Sequence, residues 1–226
     1  MSIRSKSLIA LAAFACVGAL DVAPAGAAST QCAARCGSVF SRALGVYGNS
    51  GPVEAVLDGQ ARVGQPVILN TPSNMDPSED IIPERRTVSA FYADGLVSTA
   101  VNARYGSLLA VQQQYAPFGI ETGLCVGLDE AAHQNQGLTL QPCDVSARTV
   151  WILDFPDSPS TAPAYFPIVN ASTTGFDRPF AMDLPRDELV NGRHTLQIHV
   201  RRLKFLGSER TLPDSQLWGF LSGTVG

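Results

Sequence analysis

A unit of short apolar segments and polar turns at residues 118–154 constrains the fold more than any other stretch of the sequence. It has Cys125 and Cys143 on two short apolar segments, a turn rich in Asn, Gln and Gly between them, and Trp151 at the start of a third apolar run. Such segments, linked by Gly, Asn, Asp and Ser, predict short antiparallel strands. Because a unit this small cannot bury its own apolar face, we expect copies of it elsewhere in the chain.

The N-terminal segment, residues 1–28, has the pattern of a secretory signal peptide. Arg4 and Lys6 precede an apolar run that is too short to cross a bilayer, and small residues follow it. A retained anchor helix is the alternative, although Asp21 and Pro24 interrupt the run. We therefore expect a secreted or periplasmic protein without stable membrane insertion.

The cysteines fit an oxidising compartment. Five cysteines become four if Cys16 leaves with the signal peptide, and an even number favours disulfides over free thiols. Cys32 and Cys36 lie close together in an N-terminal arm, residues 29–45. A metal site there would need two more soft ligands, and the three histidines lie far downstream. We predict a local Cys32–Cys36 disulfide, no metal site and no cofactor.

The charge and composition exclude a nucleic-acid-binding protein. The formal net charge is −4, with 16 Lys and Arg against 20 Asp and Glu, and the basic residues are dispersed except in two short clusters. Catalytic patterns are also missing. Ser50 lies in a Gly-Asn-Ser-Gly stretch with no histidine before it, and the adjacent acids Glu79 and Asp80 resemble solvated surface more than a catalytic pair. We expect a protein that is not an enzyme.

The region after the signal is predicted to be all-β. Pro- and Ser-rich connectors near residues 72–83 and 154–164 predict surface loops, and helix-period segments of useful length are missing. Residues 101–118 fit either a strand and a turn or a single helical turn. The dipeptide Asn191-Gly192, between two alternating runs, predicts a hairpin.

Three regions share one order of features: an apolar strand, a polar turn, an apolar-Gln-apolar strand, a loop and a run with an aromatic residue. The aromatic residues are Phe91, Trp151 and Trp218, at spacings of 60 and 67 residues. Threefold repetition of short strands favours a closed array without open sheet edges.

These regions resemble the ricin-type β-trefoil lectins, the family with Gln-x-Trp repeats. The third region is the most similar, and the second has a cysteine pair at the place of the family's disulfide. The resemblance implies a β-trefoil with long Pro-rich loops, repeats at about 46–100, 101–160 and 161–226, and a Cys125–Cys143 disulfide. The family-like residues of the third region are Asp183, the Asn191-Gly192 turn, Gln197, His199, Ser215, Gln216 and Trp218.

The resemblance also implies a sugar site in the third region. Asp183 would accept hydrogen bonds from two neighbouring hydroxyls, and His199 stands where the family has an aromatic residue that stacks on the sugar. Gln197, Ser215 and Gln216 would be polar supports. Alternatively, Asp183 is a turn residue that bonds its own backbone and Gln216 is a buried brace between strands.

The sequence therefore predicts a secreted, non-catalytic carbohydrate-binding protein. Its expected partners are galactose-like glycans and a toxin or hydrolase subunit, because single sugar pockets bind weakly. A scaffold that has lost its sugar sites is one alternative, since the second region has Gly127 at the place of the acid. A Kunitz-type β-trefoil proteinase inhibitor is another, because AVLDGQARVGQPVILNTP resembles the opening of that family. Against the inhibitor, Cys32 and Cys36 are too close together and no exposed inhibitory loop is identifiable.

Overall fold

A computed structural model describes most of the chain from Arg35 onwards. The described residues are 35–45, 51–73, 76–144, 146–162, 164–184, 188–190, 193–208 and 210–222. Their strands and helices are β1 Gly37–Ser41, β2 Val53–Val56, β3 Val67–Asn70, β4 Ile81–Thr87, α1 Val88–Ala93, α2 Thr99–Tyr105, β5 Leu109–Tyr115, β6 Leu124–Gly127, β7 Gln136–Gly137, β8 Thr139–Pro142, β9 Trp151–Leu153, β10 Ile168–Asn170, β11 Phe180–Asp183, β12 Glu188–Val190, β13 Arg193–Gln197, β14 His199–Arg202 and β15 Trp218–Ser222.

The strand pairing repeats three times. In each repeat the first strand pairs with the second, as in β1·β2, β5·β6 and β10·β11. The second strand then pairs with the third, as in β2·β3, β6·β8 and β11·β14. The last strand of each repeat pairs with the first strand of the next one, through β4·β5, β9·β10 and β15·β1. The chain is therefore a β-trefoil, as predicted.

A triangle of backbone hydrogen bonds joins the three hairpins. Val67 N–H donates to the Leu138 carbonyl at 2.9 Å, Leu138 N–H to the Ile198 carbonyl at 2.8 Å, and Ile198 N–H to the Val67 carbonyl at 3.1 Å. All three residues are fully buried. Because buried backbone groups need hydrogen-bond partners, each hairpin pairs backbone groups of the next hairpin. The triangle also defines equivalent positions in the three repeats.

The residues that close the repeats lie in the main core. Trp151 Nε1 donates to the Val126 carbonyl at 2.8 Å, and Trp218 Nε1 donates to the Met182 carbonyl at 3.0 Å. Both tryptophans are fully buried and belong to the main core.

The residue that closes the first repeat is Ile81 and not the predicted Phe91. A 3-10 turn ends two residues before each tryptophan, at Thr149 and Gln216, and the equivalent turn Pro77–Glu79 precedes the fully buried Ile81. Phe91, which the aromatic pattern assigned to this position, lies instead in α1. Ile81 also shows that the Pro-rich segment near residues 72–83 ends inside the core.

Two short helices, α1 and α2, accompany the strands of this mostly β chain. The Thr87 hydroxyl accepts from Ala90 N–H at the start of α1, and the Ser98 hydroxyl accepts from Val101 N–H at the start of α2. Both helices connect β4 to β5, and both are too short to show a helical period. The undecided residues 101–118 contain the end of α2, all of β5 and a tight turn.

The barrel begins within the predicted N-terminal arm. Gly37–Ser41 forms β1, which pairs with β15 along its whole length and is fully covered. Residues 37–41 are therefore part of the trefoil, which begins before the predicted boundary at residue 46. Cys36 is disulfide-bonded, whereas Cys32 lies outside the described residues.

The second repeat has the disulfide that the family resemblance implied. Cys125 and Cys143 are bonded, with their Cα atoms 4.9 Å apart. Closing a loop of this length stabilises a domain by about 3 kcal/mol through the unfolded state. Around the predicted hairpin in the third repeat, β12 and β13 pair with Val190 opposite Arg193, while Asn191 and Gly192 lie outside the described residues. No helix in the described part is long and apolar enough to span a membrane.

Candidate functional site

The strand pairing shows which residues of the three repeats are equivalent. The residue that follows each corner of the backbone triangle lies opposite Ala55 in the first repeat, Gly127 in the second and Asp183 in the third. Of these three residues, Asp183 alone has a polar side chain. In the first repeat the nearest following acid, Asp58, lies in a turn three residues after Ala55, with a positive φ of 56°.

The second repeat has little space for an acid at this position. A Cβ added to Gly127 would lie 2.8 Å from Thr149 Cγ2 and 3.1 Å from the Arg148 carbonyl oxygen. Thr149 replaces the glutamine of Gln-x-Trp, and its Oγ1 accepts from Gln112 Nε2 at 2.8 Å. At the position where the third repeat has the carboxyl of Asp183, the second repeat is therefore filled by close packing against Thr149.

Gln216 fixes the carboxyl group of Asp183. Its Nε2 donates to Asp183 Oδ2 and to the Arg202 carbonyl, each at 3.1 Å, and its Oε1 accepts from Lys204 N–H at 2.7 Å. With 1% of its surface exposed, Gln216 is the buried brace that the alternative interpretation described. It also holds the carboxyl in one orientation, so the structural and functional roles coexist.

A cavity of about 580 Å³ opens beside this carboxyl. Its volume is suitable for a small ligand. It brings together residues from the turn between β6 and β7, from β11 and β14, and from the turn before β15. The lining residues are Gln134, Asn135, Arg178, Asp183, Arg201, Arg202, Lys204, Pro213, Ser215 and Gln216.

Two of the predicted site residues lie outside this lining. Gln197 Nε2 donates to the Leu138 carbonyl at 3.1 Å, and a Cβ on Gly137 would lie 2.4 Å from the same atom. His199 is buried between two strands, opposite Asp183 on one side and Gly137 on the other. The five predicted site residues therefore do not line one pocket. Asp183, Ser215 and Gln216 share the cavity, while Gln197 and His199 contribute to packing between hairpins.

Asp183 retains unmet capacity as a hydrogen-bond acceptor. Its residue surface is 6% exposed, and Oδ1 has no hydrogen-bond partner among the described residues. Burial raises the pKa of Asp183, while the Ser215 hydroxyl, the Arg201 guanidinium and the Gln216 amide oppose the shift. These three groups lower the pKa of Asp183 and so offset part of the effect of burial.

The lining of the cavity also includes four cationic side chains, a feature that the sequence motifs did not reveal. Arg201 Nε donates to Asn135 Oδ1 at 2.6 Å, and Arg178 Nε donates to the Leu203 carbonyl at 2.9 Å. Arg202 lies over the Phe180 ring at 4.3 Å and donates to the Arg178 carbonyl at 2.9 Å. The short run Arg201-Arg202-Leu203-Lys204 was the available signal, but Arg178, Gln134 and Asn135 come from distant parts of the sequence.

In the described part of the chain, no group of three or more His, Cys, Asp or Glu residues is placed so that it could hold a metal ion. Asn170 begins an Asn-Ala-Ser triplet, the pattern of a glycosylation acceptor, but it is fully buried and its Nδ2 donates to the Arg148 carbonyl at 2.9 Å. Fold and site together define a β-trefoil protein with a polar pocket in its third repeat.

The sequence matches no protein-family model and no curated protein. Among solved structures, the chain is similar to the designed threefold-symmetric protein ThreeFoil, with 12% identity, a TM-score of 0.49, and coverage of 82% of this chain and 96% of that one. It is similar to the Rhizoctonia solani agglutinin, with 14% identity, a TM-score of 0.47, and coverage of 83% and 95%. It is also similar to a proteinase inhibitor from Coprinopsis cinerea, with 16% identity, a TM-score of 0.47, and coverage of 84% and 97%. Likeness at this level does not distinguish an agglutinin from an inhibitor.

Proposed function

We propose that this protein is an exported, non-catalytic carbohydrate-binding protein and that its sugar site is the Asp183 pocket. The observation that carries the proposal is the carboxyl of Asp183, which Gln216 holds in the lining of a ligand-sized cavity and whose buried Oδ1 has no hydrogen-bond partner among the described residues. A carboxylate accepts from neighbouring hydroxyls, and a hydroxyl such as that of Ser215 both donates and accepts. This combination matches a polyhydroxylated ring.

Two features of the pocket determine how a sugar would bind. Gln216 orients the carboxyl before the ligand arrives, which reduces the ordering cost of binding. The lining has no aromatic side chain, so stacking on a sugar face contributes nothing to affinity. We therefore expect weak binding at a single site, which an oligomer or a partner subunit with further sites would strengthen.

A protein-interaction scaffold is the second candidate. It is favoured by Ala55 and Gly127, which leave two of the three equivalent positions without a polar side chain. This candidate predicts no glycan binding at any concentration tested. The Kunitz-type inhibitor remains an alternative that a direct trypsin inhibition assay addresses.

A glycan array with the purified protein and the variant Asp183→Asn tests the proposal. The amide keeps the shape of the side chain but removes the charge, so circular dichroism should show an unchanged fold. Because a hydrogen bond to a charged group contributes about 1.5–3 kcal/mol, we expect affinity to fall by roughly 10-fold or more.

The matched control is Asp144→Asn, which removes an exposed carboxyl in the second repeat, outside the cavity. It should bind like the wild type. Absence of binding by the wild type, or equal binding by Asp183→Asn, would contradict the proposed sugar site.

A further inference from the structure

We infer that the ligand of the Asp183 pocket is an anionic glycan, a sugar that carries a sulfate or carboxylate group in addition to its hydroxyls. The inference rests on the proposed function and specifies its ligand. It starts from the charge of the lining, where Arg178, Arg201, Arg202 and Lys204 face one carboxyl, that of Asp183. The cavity therefore carries an excess of three positive charges in a chain whose formal net charge is −4.

The positive charges of the pocket are not neutralised by nearby acids. Within the described residues, none of the four cationic side chains lies within ion-pair distance of an Asp or Glu; the ion pairs found there involve Arg35, Arg42, Arg86 and His133. Asp183 interacts electrostatically with Arg201, but its Oδ2 already accepts from Gln216. A ligand anion would therefore meet unneutralised positive charge.

Two of the arginines are held in a similar way. Arg178 is fixed through Nε by the Leu203 carbonyl, and Arg201 is fixed through Nε by Asn135 Oδ1. Among the described residues, no acceptor is bonded to the terminal nitrogens of either guanidinium. A guanidinium anchored in this way presents its remaining N–H groups as a rigid fork, which suits the paired oxygens of a sulfate or carboxylate.

Arg202 and Lys204 have different roles in the pocket. Arg202 lies on the Phe180 ring and donates to the carbonyls of Thr174 and Arg178, so it supports the loop from which Arg178 projects. Lys204 is exposed, and its ammonium has no partner among the described residues. It adds a mobile charge that strengthens attraction without fixed geometry.

The acid in the same lining explains why the ligand is a glycan and not a simple anion. The carboxyl of Asp183 accepts hydrogen bonds from hydroxyl donors, so a matching ligand presents hydroxyls towards Asp183 and Ser215 and its negative group towards the arginines. A nucleic acid fits less well, because the lining contains no aromatic ring on which a base could stack.

Binding of matched glycan pairs tests the inference. Each pair has a sulfated or sialylated sugar and its neutral parent, measured at 0.1 M and 1 M salt. We expect the anionic member to bind at least about 10-fold more tightly at low salt, and we expect most of this advantage to disappear at 1 M salt, where the screening length falls from about 10 Å to about 3 Å.

Charge variants separate this inference from the proposed function. Arg178→Gln and Lys204→Gln should weaken binding of the anionic member several-fold more than binding of the neutral parent, while the control Arg62→Gln, outside the cavity, should change neither. Equal binding of both members by the wild type would overturn the inference and leave the sugar site intact. Inorganic sulfate or an oligonucleotide that competes as well as the anionic glycan would also overturn it.

A second measurement uses Lys204 directly. The chain has two lysines, and Lys6 belongs to the predicted signal peptide. Amine acetylation followed by mass spectrometry therefore reports on Lys204, with the N-terminal amine as internal reference. Saturating anionic glycan should slow acetylation of Lys204 several-fold relative to the reference; an unchanged rate would place the glycan elsewhere and overturn the inference.

Discussion

Replacing Glu54 by glutamine should stabilise the protein at alkaline pH. Glu54 is fully buried in the first repeat, and Gln113 Nε2 donates to its Oε2 at 2.5 Å. Its Oε1 and the Oε1 of Gln113 have no hydrogen-bond partner among the described residues. A protonated Glu54 would donate an O–H hydrogen bond within this cluster of acceptors. An ionised Glu54 would be a further acceptor with a negative charge.

The magnitude follows from the titration of Glu54. Burial raises the pKa of Glu54 from 4.5 to about 8, against the opposing effects of the Val39 backbone and the Gln113 side chain. Between these two pKa values the folded state binds more protons than the unfolded state, so stability falls as pH rises from 4.5 to about 8 and is constant above that. At about 1.4 kcal/mol per unit, the loss is about 5 kcal/mol.

Urea unfolding at pH values from 5 to 9 measures this effect. The difference in unfolding free energy between Glu54→Gln and the wild type should grow with pH by several kcal/mol and level off near pH 8. Taking the difference at each pH removes the contributions of other groups, such as Glu79, whose pKa burial raises to about 7. The exposed control Glu121→Gln should show no such trend, and a difference independent of pH for Glu54→Gln would refute the buried neutral acid.

Two further predictions concern stability. The double variant Cys125→Ser, Cys143→Ser should retain the fold but lose about 3 kcal/mol in urea unfolding, and an unchanged unfolding free energy would show that the loop is ordered without the bond. Trp218→Phe should cost about 2–4 kcal/mol, because it leaves the Met182 carbonyl without its donor and opens a small cavity. Trp151→Phe should behave similarly, whereas a cost below about 1 kcal/mol for either variant would contradict their core roles.

The strands were predictable because they are short apolar segments separated by strong turn signals, and the β-trefoil was predictable through the resemblance of the repeats to a known family. The role of Ile81 as the closing residue of the first repeat was not predictable, because the comparison of repeats relied on aromatic residues. Phe91 was the nearest aromatic residue, but it belongs to a six-residue helix, too short for a helical period to show. The capping residue Thr87 was the local signal for that helix.

The candidate site was predictable only where its residues lie in one repeat motif. Asp183, Ser215 and Gln216 belong to such a motif, and all three line the cavity. Gln197 belongs to the same motif, but its neighbour is Leu138 of another hairpin, and contacts between hairpins do not appear in the sequence of a single repeat. Asn135 reaches the cavity for the same reason, because it orients Arg201 from a different repeat.

The alignment of the repeats also explains why an acid in the first repeat does not form a second pocket. Glu54 lies opposite Leu69, as Met182 lies opposite Val200, so Glu54 is equivalent to Met182 and not to Asp183. Successive side chains of a strand point to opposite faces, so a displacement of one residue moves a carboxyl from the cavity to the interior of the barrel. In the third repeat the acid is braced by Gln216 beside a ligand-sized space, and in the first it is enclosed with Gln113 in the core. A carboxyl group therefore lines the candidate binding pocket in the third repeat and is a buried titratable group in the first.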